Sequence, residues 1–155
     1  MSQEAARPRK SPCASCPYRK NVPSGIWDQS EYDKLSRYDG EMHEQSATAV
    51  FMCHQQDGCV CSGWLAHREP ADMLAVRIGL MSGQMDMACL DYATDVELFS
   101  SGAAAAAHGQ RDIDEPSEAA IAVIGKITRK HSAPRAGEPG PDLDHEGSTA
   151  DDVCP

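Results

Sequence analysis

The cysteines constrain this chain more than any other feature of its sequence. Five of its seven cysteines lie in two short groups: residues 13–17 read Cys-Ala-Ser-Cys-Pro, and residues 53–61 begin with Cys-His and end with Cys-Val-Cys. A Cys-x-x-Cys pair allows a tight turn to direct two thiolates at one metal ion, at about 2.3 Å for zinc. The first group therefore offers half of a tetrahedral site, and the second group can close it.

The spacing predicts four ligands but leaves the set partly open. The predicted ligands are Cys13, Cys16, Cys53 and Cys61. We prefer Cys61 over Cys59 because Cys59 directly follows Gly58 at a turn, and His54 or His67 could replace one thiolate. Four thiolates suit zinc and iron–sulfur clusters alike. We expect Zn²⁺, with a 4Fe–4S cluster as the alternative.

Core filling and redox chemistry account for the grouped cysteines less well than a metal does. A free cysteine is a small apolar residue that often fills a core, which is our expectation for Cys89, whereas Cys154 lies in the tail. A thioredoxin-like dithiol would need a strand before Cys13, and the sequence predicts none there. Cys53 and His54 are neighbours on a predicted strand, so they point to opposite faces and cannot simply pair as nucleophile and base.

Catalysis therefore finds little support in the sequence. We assign no catalytic residue and expect a binding protein rather than an enzyme. A metalloenzyme with His54 or His67 beside an open coordination position is the remaining enzymatic alternative.

The chain termini and the redox chemistry of thiols predict a compartment. The amino terminus is basic but has no apolar run behind it, so it does not resemble a secretory signal. No segment approaches the roughly 20 apolar residues of a membrane span. We expect a soluble, cytoplasmic protein in which the thiols stay reduced.

The formal net charge of −10 is unevenly distributed. Residues 1–22 carry five basic and one acidic side chain, residues 23–131 eight and seventeen, and residues 132–155 one and six. An acidic body repels a phosphate backbone, which disfavours nucleic acid as a partner. We expect the acidic surface to face a protein partner, a host factor if the gene is viral.

Composition divides the chain into three parts. Residues 1–12 are predicted to be a flexible basic arm, residues 13–131 a cysteine-rich metal-binding domain, and residues 132–155 a disordered acidic tail rich in Pro, Gly, Asp and Glu. The predicted fold class is α+β: a small, mainly helical domain with a minor sheet, stapled by a four-cysteine metal site.

Local patterns predict the elements of this domain. They are a short helix opened by a capping box of Asp28 and Glu31, a buried strand over residues 48–53, a helix from Pro70 to near Gly83, a helix over residues 103–107 that stops at Gly109, and a helix over residues 116–130.

Several segments together resemble a domain-of-unknown-function family found in actinobacteria and their phages. The segments are residues 13–19 (Cys-x-x-Cys-Pro-Tyr-Arg), 23–27, 31–35, 51–54 (Phe-Met-Cys-His) and 61–64 (Cys-Ser-Gly-Trp). The resemblance covers about residues 13–131. It implies a recurring arrangement that maps onto the same four cysteines and a host range, but it implies no reaction.

The Cys-x-x-Cys-Pro-x-Arg segment with a later Gly-Ile-Trp is also similar to the WhiB-like iron–sulfur regulators. Those proteins hold a four-iron cluster and bind a sigma factor. The cysteine spacing here differs from theirs, and the basic tail that they use on DNA is absent. This similarity keeps a cluster as the alternative to zinc.

Overall fold

The computed structural model describes residues 3–132, with side chains as far as Lys130. It is a small, mainly helical α+β fold with a minor sheet of two parallel strands. The strands are β1 (Arg7–Pro8) and β2 (Cys59–Val60), and the helices are α1 (Gln29–Asp33), α2 (Ser62–Ala66), α3 (Leu74–Met81), α4 (Gly102–Gln110) and α5 (Glu118–Ser132). Residues 133–155 of the expected acidic tail lie outside the described residues.

Part of the segment expected to be a flexible arm is hydrogen bonded to the domain. β1 pairs with β2, and the Arg9 amide donates to the Val60 carbonyl at 3.1 Å. The Ala6 amide and carbonyl bond to residues 84 and 86 at 2.8 and 2.9 Å. Pro8 favours extended backbone, so the neighbouring peptide groups can form ladder bonds without any apolar pattern in the sequence.

Helices α1 and α4 form a tight layer. Asp28 caps α1 by accepting from the Ser30 amide at 3.0 Å, but Glu31 does not complete the predicted capping box because its carboxylate turns to Lys34 at 2.8 Å. A 3₁₀ turn, Leu35–Tyr38, follows. A side chain on Gly102 or Gly109 of α4 would overlap the Leu35 carbonyl or the Tyr32 ring, so glycine sets how closely this layer packs.

The strand predicted over residues 48–53 forms only at its end. The Cys53 amide donates to the Cys59 carbonyl, and the Cys61 amide to the Phe51 carbonyl, both at 2.9 Å. Residues 51–53 and 59–61 thereby form a small antiparallel hairpin, and Gly58 turns within it at φ +78°.

The helix predicted from Pro70 is interrupted. Pro70–Asp72 is a 3₁₀ turn, Met73 is extended, and α3 begins at Leu74. The buried Gln45 side chain bridges the break: it donates to the Asp72 carbonyl and accepts from the Leu74 amide, both at 2.8 Å. The polar side chain replaces the helical hydrogen bonds that are lost there.

The last two helices agree closely with the sequence patterns. α4 contains the alanine run, and α5 begins two residues after Pro116. The apolar side of α5 packs on Val22 and Ile26 through Ala120, Ile124 and Ile127. Within the described residues, none of the helices is long and apolar enough to cross a bilayer.

Candidate metal centre

The first thiol turn is closed by backbone bonds and held by two distant side chains. The Cys16 amide donates to the Cys13 carbonyl at 3.0 Å. The Arg19 guanidinium donates to the Pro12 carbonyl at 3.0 Å, and the Trp27 indole donates to the Ser15 carbonyl at 2.8 Å. These bonds support the loop that carries the Cys13 and Cys16 sulfurs. We name residues 13–16 the first thiol turn.

The second pair of thiols, Cys53 and Cys61, lies on the two strands of the hairpin. We name the segment that they enclose, residues 53–61, the second thiol turn. The Cys53 sulfur accepts from the Gln55 amide at 3.4 Å, and the Gln56 amide also bonds it. Cys61 is the N-cap of α2, and its sulfur accepts from the Trp64 amide at 3.5 Å. A backbone amide that follows each cysteine thus fixes the position of its sulfur through a hydrogen bond.

The four predicted ligands meet in pairs. Cys16 and Cys61 approach to 4.0 Å between their sulfurs, and the Cys13 thiol contacts both Cys16 and Cys53. All four are free cysteines, and Cys13 alone among them is partly exposed rather than buried. The contacts form a chain from Cys53 to Cys61 and not a coordination sphere: over residues 3–132, no group of three or more ligating side chains is assembled to hold a metal ion.

Contact and burial keep the thiols of Cys13, Cys16 and Cys53 protonated. The hydrogen bond with Cys16 raises the pKa of Cys13, and the bond with Cys13 together with burial strongly raises the pKa of Cys53. Cys13 lowers the pKa of Cys16, but contact with Cys61 and burial outweigh it and hold that pKa well above its ordinary value. A thiolate is the ligating form, so the cluster would become a binding site when a cation displaces the protons.

The possible substitute ligands make contacts of their own, although the His67 Nε2 is buried and has no hydrogen-bond partner among the described residues. The His54 Nε2 lies 3.2 Å from a Glu31 carboxylate oxygen, and its ring lies 4.8 Å from that of Trp27. The His67 Nδ1 bonds the Trp64 carbonyl, and burial lowers the pKa of this histidine. Cys59 is buried and is not among the free cysteines.

The remaining described cysteine lies apart from these contacts. The Cys89 sulfur donates to the Ala6 carbonyl at 3.6 Å, and burial raises the pKa of Cys89 to about 11. It is fully buried in the main core, in line with the core-filling role expected for it.

One residue of the centre was missed by sequence reasoning. A side chain on Gly63 would overlap the Cys16 sulfur, so the glycine makes room for the contact between Cys16 and Cys61. The signal was present in the sequence as a glycine two residues after Cys61, in the turn that opens α2. Spacing arguments overlook it because a glycine offers no ligand.

Comparison with known proteins gives one result of substance. No curated protein and no solved structure matches the chain. A model of a family of unknown function (DUF6283) matches residues 8–129, which include both thiol turns and most of α5. The chain therefore belongs to this family of unknown function, DUF6283.

Proposed function

We propose that the protein binds one Zn²⁺ through Cys13, Cys16, Cys53 and Cys61, and that the ion holds the two thiol turns together. The observation that carries the proposal is the set of backbone donors to sulfur. Cys16, Cys53 and Cys61 each accept from an amide two or three residues further along the chain. Such bonds are about twice as strong to a charged sulfur as to a neutral one, so they favour the thiolates that a metal requires.

The sulfur separation favours a single ion over a cubane cluster. Four sulfurs at about 2.3 Å from one tetrahedral ion lie about 3.8 Å from each other. Cys16 and Cys61 are already 4.0 Å apart. A 4Fe–4S cluster distributes its cysteines over four separate iron atoms, so it needs more widely separated sulfurs. Small adjustments of the turns would suffice for zinc.

The ligand set favours a structural over a catalytic metal. Four thiolates fill a zinc tetrahedron, whereas a catalytic site keeps a position open for water or substrate. His54 faces Glu31, and His67 faces the Trp64 carbonyl, so neither favours the metalloenzyme alternative. The protein then acts by binding and not by chemistry at the metal.

The surface favours a protein as the binding partner. Met81 is 89% exposed and Met87 is 62% exposed, and Met52 and Ile78 are also exposed. Methionine side chains are flexible and polarisable, and they are common on surfaces that bind other proteins. An acidic body disfavours nucleic acid. Because the four proposed ligands are free cysteines, as thiols of the cytoplasm usually are, we place the protein there and propose a host protein as partner if the gene belongs to a phage.

Elemental analysis of protein purified without oxygen tests the metal. We expect one zinc ion per chain and no absorption in the visible range. A brown sample that contains iron and acid-labile sulfide would replace the zinc proposal with the cluster alternative.

Two cysteine variants test the ligand set. Cys16→Ser should lose bound zinc and melt at a lower temperature, because a hydroxyl is a poor zinc ligand. Cys89→Ser is the matched control: it makes the same change in a buried cysteine that contacts none of the four thiols, so it should retain its zinc. Full zinc occupancy in Cys16→Ser would exclude Cys16 as a ligand.

A further inference from the structure

A cavity beside the first thiol turn carries positive charge. It has a volume of about 310 Å³ and lies between residues 13–15, Gln55 and α5. Arg9, Lys126 and Lys130 line it, and no carboxylate does. In the part of the chain that the structure describes, none of these three cations has an ion-pair partner. Three unpaired cations around one cavity are not expected in a chain with net charge −10.

The cations reach the cavity from two different sides. Arg9 continues β1, and its guanidinium is oriented by donating to the Ser11 carbonyl at 2.9 Å. Lys130 lies on α5 and donates to the Gln55 carbonyl of the second thiol turn. Lys126 is one helical turn before Lys130 and therefore lies on the same side of α5. A ligand in the cavity would meet positive charge from two separate segments of the chain.

The rest of the lining suits a small organic molecule. The side-chain amide of Gln55 donates to the Ser15 hydroxyl at 2.9 Å, so neutral hydrogen-bonding groups of both thiol turns lie together in the lining. Val123 and Ile127 of α5 supply apolar surface. The volume lies at the lower end of the range of small-molecule sites, about 300–1,000 Å³.

We propose that this cavity binds a phosphomonoester. Its phosphate would lie between Arg9, Lys126 and Lys130, and its organic group against Val123 and Ile127. A phosphomonoester carries a charge of about −1.5 to −2 at neutral pH, which balances three cations better than a carboxylate does. Inorganic phosphate matches the charge but leaves the apolar wall uncovered. The proposal does not use the zinc ion, because none of the three cations is a proposed zinc ligand, but it rests on the proposed function in so far as the thiol turns form one wall of the cavity.

The competing role for the cations is only to offset the charge of thiolates at Cys13, which also lines the cavity. Isothermal titration calorimetry of the full chain with phenyl phosphate separates the two. We expect phenyl phosphate to bind, inorganic phosphate to bind more weakly, and phenol not to bind. Added salt should weaken binding, because the cations are near the surface.

Two variants on α5 complete the test. Lys126→Gln should weaken the binding of phenyl phosphate about tenfold, the effect of losing one charged hydrogen bond. Arg129→Gln is the matched control, because it removes a charge from the same helix outside the cavity, and its affinity should equal that of the unmodified protein. Bound metal is measured in every sample.

Two results would overturn the proposal: no binding of phenyl phosphate to the unmodified protein, or equal weakening in both variants. If Lys126→Gln loses its metal and the unmodified protein does not bind phenyl phosphate, the cations serve only to offset the charge of the thiolates. Protein that binds phenyl phosphate but contains no zinc and takes up none when zinc is added would refute the zinc site and leave the phosphomonoester site standing.

Discussion

The thiol turns and the layer of α1 and α4 are held together by different physics. In the helical layer, Gly102 packs against the backbone of Leu35 and Gly109 against the Tyr32 ring, and the Asp39 carboxylate accepts from the first two amides of α4, at 2.7 and 2.8 Å. In the thiol turns, short loops meet through sulfur contacts and a few backbone bonds. The comparison teaches that one region contains its own stabilising contacts, whereas the other has few, and we propose that a zinc ion completes it.

Removal of the metal should destabilise the thiol turns far more than the layer of α1 and α4, and this is the largest effect that we expect. Structural zinc contributes on the order of 10 kcal/mol of apparent binding free energy, comparable with the stability of a whole domain. We expect a chelator to lower the melting temperature sharply and zinc to restore it. Hydrogen exchange should show amides of the thiol turns, such as that of Cys61, losing protection before those of α4.

Unchanged melting and unchanged exchange after chelation would contradict both the metal and the comparison. A chelator that does not bind zinc tightly, used at the same ionic strength, serves as the control for salt effects.

Gly102→Ala tests the helical layer on its own. The new methyl group would overlap backbone atoms of Leu35, which cannot move aside as a side chain can. Overpacking of this kind costs about 3 kcal/mol of unfolding free energy, measurable by urea denaturation, and zinc content should not change. Gly125→Ala in α5 is the control, since its nearest neighbour is the end of the flexible Arg129 side chain at 3.5 Å. Equal stability of the two variants would show that the layer tolerates expansion.

Much of the helical region could be predicted from the sequence because its signals are local. The alanine run of α4 and the isoleucine spacing of α5 lie within the elements that they specify. Where prediction differed from structure, a distant residue decided the outcome. Gln45 interrupts the helix predicted from Pro70, and β2 pairs with the segment expected to be a flexible arm. No pattern within either segment reports such a partner.

The thiol turns show the opposite balance. The cysteines that spacing singled out contact one another in pairs, and the members of one pair lie 45 positions apart in the sequence. Spacing could not predict the supports: Trp27 on the first turn, the contact of His54 with Glu31, and the space left by Gly63. Ligand chemistry restricts the residue type at a ligating position, but many residue types can support a loop. Both the binding of a metal and its identity stay predictions.

Gly63→Ala tests the thiol turns without removing a sulfur. The methyl group would displace the Cys16 sulfur and widen its contact with Cys61. We expect zinc affinity to fall about tenfold, equivalent to about 1.4 kcal/mol, measured by competition with a chromophoric chelator. The same competition on Gly125→Ala should give the unmodified affinity. An unchanged affinity in Gly63→Ala would show that Cys16 does not need its present position to ligate.

A contact of a carboxylate with a histidine joins the two regions and gives the smallest expected effect. Glu31 of α1 accepts from Lys34 and lies 3.2 Å from His54 of the second thiol turn. The bond from Lys34, assisted by His54, lowers the pKa of Glu31. A carboxyl group whose pKa is lower in the folded state stabilises the fold above its ordinary pKa of about 4.3, and this contribution disappears as the pH falls through the folded value.

Glu31→Gln should therefore lower the unfolding free energy by about 0.5 kcal/mol at pH 7, the usual size for a partly exposed pair, and by progressively less as the pH falls below about 4. The quantity to measure is the difference between variant and unmodified protein at each pH, because acid also protonates the thiolates and releases zinc from both. Asp33→Asn, the same loss of a carboxylate on the same helix, is the control for net charge. If the difference persists undiminished at pH 3, Glu31 contributes by packing and the two regions are not joined by charge.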